Sequence, residues 1–138
     1  MPSQQDLYNE LSYYTLSHTD PVFIHHPAVD AFEAQTANEQ TKPITITFAL
    51  MGLYLYLEKN YSGKQVQMAH MKVAQHTNIV WPTFILPAQR GVVTVADVLQ
   101  GNPGEERDML LNKWCVSVWD AYAKSHKQVA DFLDRYLF

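Results

Sequence analysis

The run from Pro43 to Leu57 contains no charged residue and leaves the chain few ways to fold. It is too short for a membrane span, which needs ~20 predominantly apolar residues, and Thr45 and Thr47 dilute it further. Ile44 to Phe48 alternates like a strand, but Phe48 to Leu57 is too continuously apolar for a strand with one wet face. One helix from Pro43 to Lys59 accounts for both halves and must lie buried at the centre of the fold. Gly52 inside it costs about 1 kcal/mol relative to alanine. A close helix crossing at Gly52 would offset that cost.

The flanking sequence supplies helices to surround it. Ser3 and Asp6 form a capping pair, and Leu7, Leu11 and Tyr14 follow at helical spacing, so a first helix covers about Ser3 to Leu16. Pro21 breaks the chain, and Val22-Phe23-Ile24 dips toward the core. Pro27 suits the first turn of a second helix, running to about Ala37. Lys64 to Thr77 repeats Val66, Ala69, Val73 and Ala74 on one stripe, with His70 inside it; Met68 and Met71 read as packing residues. His76 falls near the end of that helix, where a positive charge is favourable.

Trp81-Pro82 and Leu86-Pro87 exclude a helix from Ile79 to Val93, which reads as an extended crossover burying Trp81, Phe84 and Leu86. Thr94 with Asp97 starts a short helix to Leu99. Gly101 to Gly104 is a turn. A long helix from Glu105 to Lys124 buries Leu111, Trp114, Val118 and Tyr122. Ser125 with Gln128 caps the last helix, which docks through Val129, Phe132, Leu133, Tyr136 and Leu137. The fold class is all-α: a compact single-domain bundle of about six helices over residues 1–138, with one extended Pro-containing crossover.

Composition narrows the function. With 14 acidic and 10 basic residues the net charge is -4, and no Lys/Arg run marks a nucleic-acid surface. The one cysteine, Cys115, lies between Trp114 and Val116 in a helical pattern and reads as a buried, inert thiol. No intrachain disulfide can form, and the N-terminus lacks a signal-peptide pattern, so the chain is expected in the cytoplasm. The partner classes this leaves are a small molecule and a second copy of the chain in a homodimer, with no nucleic acid and no membrane.

The densest polar stretch is His25 to Gln35. Counting from Pro27, His26, Asp30 and Glu33 share a helix face at i, i+4 and i+7, while His25 precedes the helix and can turn across its N-terminus. Imidazole and carboxylate together suit a transition metal or acid–base chemistry. A solvated polar face with one capping histidine is the structural alternative. There is no H-E-x-x-H motif and no closely spaced cysteine pair. Arg107, in the first turn of the long helix, opposes the helix dipole and so calls for a carboxylate partner, with Asp97 and Asp30 as candidates.

Several strings recur together: Tyr13-Tyr14-Thr15, Phe23-Ile24-His25, Val29-Asp30-Ala31-Phe32, Ala34-Gln35, Thr41-Lys42-Pro43, Gly63-Lys-Gln-Val-Gln67 with His70, Trp81-Pro82, Arg90-Gly91, Asp97-Val98 and Arg107-Asp108. Through them the chain resembles an uncharacterised family of small bacterial proteins, a domain of unknown function, over nearly its whole length. The resemblance carries no assigned reaction. It implies weight on His25, Asp30 and Gln35, with glutamine often at the position of His26. Longer relatives resemble a zinc knuckle at an N-terminal cysteine pair, which this sequence does not contain.

Three functions follow. The first is a pocket for a small molecule or divalent metal, with His25 and Asp30 as candidate catalytic residues. Gln35, His70 and Arg107 are the candidate ligand-binding residues, and His25, Asp30 and His70 the candidate metal ligands. The second is a non-catalytic interaction module anchored by its Tyr and Trp residues. The third is a structural domain in which the same polar groups form a closed hydrogen-bonded network.

Overall fold

Every regular element in the computed structural model, which describes residues 2–17 and 25–138, is helical. The elements are α1 (Gln4–Leu16), α2 (His25–Thr36), α3 (Pro43–Glu58), α4 (Gly63–Ala74), the short α5 (Val95–Leu99), α6 (Glu105–Ala121) and α7 (His126–Tyr136), with a 3-10 turn at Ala123–Ser125. The Val22–Ile24 segment lies outside the described residues.

The uncharged run does form the central helix. Along α3, Ile46, Ala49, Leu50, Met51, Leu53 and Leu55 are all buried, and α2, α4, α6 and α7 pack around it. No helix among the described residues is long and apolar enough to cross a membrane. The seam of α6, namely Leu111, Trp114 and Val118, is buried, as is Tyr122 at its C-terminal cap. Cys115 is fully buried on the same helix, its thiol 3.6 Å from the Pro27 carbonyl oxygen. Burial pushes that thiol far above its usual range.

Start signals work where a small polar residue precedes a helix. Ser3 and Ser62 each accept a bond from the backbone N–H three residues on, and Asp6 and Gln65 return it. Asp97 similarly holds the Thr94 N–H at 2.9 Å. Ser125 makes no such cap, because the 3-10 turn already feeds the chain into α7. The second helix starts at His25, two residues before Pro27. Proline is tolerated there because the first four N–H groups of a helix have no intrahelical acceptor. α4 ends at Ala74, with Asn78 in the left-handed region at φ 61°. Met68 and Met71 are exposed rather than packed, since the burying stripe of α4 is Val66, Ala69 and Val73.

The crossover from Gln75 to Thr94 contains no regular element, and its backbone is held by side chains. Ser117 accepts the N–H groups of Val92 and Val93, the Tyr136 hydroxyl accepts that of Val80, and Gln128 donates to the Thr83 carbonyl. Phe84 is buried; Trp81 and Leu86 are only half-buried.

The expected close crossing occurs at Gly52. A Cβ there would lie 1.8 Å from Asp30 Oδ2 and 3.1 Å from His70 Nε2. The missing side chain is therefore the space that the Asp30 carboxylate fills. Gly52→Ala should destabilise the protein by about 2–4 kcal/mol, through forced displacement of a buried short side chain. Adding Asp30→Ala should recover part of that loss, as urea denaturation of the double-mutant cycle would show. Strictly additive losses would mean that the clash is absorbed elsewhere.

Candidate metal centre

The crossing that Gly52 permits sets beside Asp30 one side chain from its own helix, His26, and one from α4, His70. His26 lies four residues before Asp30 on α2, so both point from the same face; their closest atoms, Nδ1 and Oδ2, are 3.3 Å apart. His70 comes from the buried stripe of α4. Its ring meets that of His26 edge-on with centroids 4.6 Å apart, and Phe48 of α3 covers it at 5.1 Å. One donor atom from each of His26, Asp30 and His70 can be chosen so that all lie within 4.8 Å of one another. Donors about 2.0–2.2 Å from a tetrahedral ion are themselves about 3.4 Å apart, so these three could hold an ion once their side chains closed by up to about 1.4 Å.

Burial sets the charge states. Asp30 is 3% exposed, and burial raises its carboxyl to about 7; His26 opposes that rise and Glu33 adds to it. Burial lowers His70 to about 3, His26 adds to the effect, and a hydrogen bond to the Phe48 backbone partly offsets it. His70 is thus neutral throughout the physiological range. Its Nε2 is buried without a hydrogen-bond partner and lies, like Asp30 Oδ2, against Gly52. An imidazole tethered through one nitrogen with the other bare is the usual form of a metal-binding histidine.

The sequence-predicted residues fall into two groups. Asp30 and His70 meet as anticipated. His25, however, is not the histidine that joins them. Because α2 begins at His25, His26 is already in helical phase with Asp30. His25, one residue earlier, turns toward α1, where its Nδ1 is 2.8 Å from Thr15 Oγ1. Burial and the neighbouring His26 both lower the His25 pKa. The i, i+4 spacing of His26 and Asp30 was the signal for this pair.

Gln35 and Arg107 lie in separate hydrogen-bond networks. Gln35 donates to the carbonyls of Arg90 (3.1 Å) and Val93 (2.8 Å) and accepts from the Trp114 indole at 2.8 Å. Arg107 does not pair with Asp97 or Asp30. Its guanidinium donates to the carbonyls of Leu99 and Gly101 and stacks over the Tyr14 ring at 4.7 Å. A cation at the C-terminus of α5 answers that helix's dipole, and Glu105, Glu106 and Asp108 answer the dipole of its own.

A model described as a family of unknown function (DUF5946) matches residues 3–123. The chain belongs to that family. The match runs from α1 through α6 and includes all three donor residues. No curated protein and no solved structure matches this DUF5946 chain.

Two predictions come from the site's geometry and charge. The raised Asp30 contributes stability that is complete below about pH 3.8 and is lost as pH rises toward 7. The lowered His70 contributes stability that is complete above about pH 6.5 and is lost as pH falls toward 3. Between about pH 4 and 6.5 the two slopes, each up to about 1.4 kcal/mol per pH unit, oppose each other. The unmodified chain should therefore show a shallow profile there. His70→Gln should become less stable as pH rises, and Asp30→Asn less stable as pH falls; identical profiles for all three proteins would contradict these assignments. Separately, Gln35→Ala strands the Trp114 N–H and two carbonyls and should cost about 2–4 kcal/mol, measured as a shift in urea midpoint at unchanged slope.

Proposed function

We propose that this chain binds a divalent transition-metal ion through His26, Asp30 and His70, leaving a coordination position open to a small molecule. The observation that carries this reading is the bare, buried Nε2 of His70, which shares the Gly52 crossing with the Asp30 carboxylate. An unsatisfied buried acceptor costs about 1–3 kcal/mol, and a metal ion would satisfy it. Two imidazoles and one carboxylate suit zinc and its neighbours better than calcium or magnesium. Three protein donors, rather than four, are the pattern of sites that keep a place for water or substrate. The reaction class such a centre supports is polarisation of a bound water or carbonyl.

A purely structural role has its own support in the His26–Asp30 pair, which closes part of the cluster without an ion. Titration separates the two readings. Protein purified without a histidine tag should bind zinc, and cobalt(II) with an absorption signature of nitrogen and oxygen ligation. Binding should release protons below about pH 7, because the ion must displace the one that burial keeps on Asp30. His26→Ala and His70→Ala should each weaken binding by more than the roughly 10–100-fold typical of outer ligand-supporting residues, and His25→Ala by less. Failure to bind either metal at micromolar concentration, or equal losses in His25→Ala and His26→Ala, would rule the proposal out.

A further inference from the structure

A cleft of about 990 Å³, whose lining includes none of His26, Asp30 and His70, opens between the α2–α3 turn and the extended crossover. Ile46, Phe84 and Leu86 give it an apolar wall, Ala88 sits on its border, and Arg90 and Glu39 supply its charges. We propose that it binds a small monocarboxylate with an apolar body, held by the guanidinium of Arg90.

Arg90 is unusually well fixed for a half-buried arginine. Its Nε donates to the Pro87 carbonyl, and Nη1 donates to the carbonyls of Gln35 and Ala37. In return the Gln35 amide donates to the Arg90 carbonyl. Main chain and side chain are thereby locked from both sides, so little freedom remains to be lost on binding. Three of the five guanidinium N–H groups are used, and among the described residues no acceptor bonds to Nη2. A carboxylate oxygen is the natural partner for that remaining edge. The volume is at the upper end of what small-molecule sites offer, and Ile46, Phe84 and Leu86 add hydrocarbon surface to a lining that also holds Asn38, Gln40, Thr41 and Thr83. The lining holds one cation and one carboxylate, so no net positive charge draws a dianion, and the apolar residues favour an anion that carries a hydrocarbon body over phosphate. Glu39 is exposed on the rim and moderates affinity without touching the fold.

The probes are 3-phenylpropionate, its amide and inorganic phosphate, each titrated into the full isotope-labelled chain and followed by amide chemical shifts. The carboxylate should produce saturable shifts confined to residues 38–46 and 83–90, and the amide should bind about ten-fold more weakly or worse. Glu39→Gln should tighten carboxylate binding by about two- to five-fold at low salt. Ala88→Trp, at an exposed position on the crossover, should occlude the cleft and abolish binding with melting temperature retained. Absence of saturation by about 10 mM, equal affinity for acid and amide, or tighter binding of phosphate would each overturn the proposal. Because the acid–amide and Glu39 comparisons use intact Arg90, the test survives any folding defect in an arginine variant. It does not involve the metal ligands, so either site can fail alone.

Discussion

A carboxylate seated against a glycine holds the centre of this molecule together. Gly52 lets α2 approach α3 closely enough for Asp30 to fill the space where a Cβ would be. The nearby presence of His70 brings α4 into the same contact, and His26 lies beside them on α2. A charged carboxylate at that depth would be costly, and the protein answers by keeping Asp30 largely protonated toward neutral pH. Polarity here fixes the register of three helices. It also creates a donor set that the fold leaves incompletely satisfied, since the buried Nε2 of His70 has no hydrogen-bond partner.

The extended crossover poses a different problem. Without helix or sheet, its backbone groups need individual partners. The chain answers with side chains from helices already in place: Gln35 from α2, Ser117 from α6, Gln128 and Tyr136 from α7. Gln35 has the greatest share, because it joins the crossover to Trp114 at the same time. The outcome is a segment without periodic structure that nonetheless presents a fixed arginine.

Residue pattern alone revealed most of the helices, and the reason is visible at particular positions. The uncharged stretch around Leu50 could only be central, Ser3 and Ser62 announced helix starts, and the two prolines at 82 and 87 excluded a helix between them. Gly52 was legible too, since a glycine inside an apolar helix needs a compensating contact. The choice between two adjacent histidines went astray for another reason. Spacing already put His26 on the face of Asp30, but the family resemblance moved the weight to His25, whose ring meets Thr15 of α1 instead. Arg107 shows the second limit: its dipole argument was sound, but the partner was a neighbouring helix's carbonyls rather than an acid. Contacts between distant backbone atoms leave no mark in composition.

The lone thiol of Cys115 adds a property of its own. It lies on α6 against the Pro27 carbonyl of α2, with no surface open to solvent. A reagent that alkylates sulfur can reach it only in molecules whose α2–α6 contact has come apart. Each modified chain is then a permanent record of one such opening, and with one cysteine in the sequence the record has a single location.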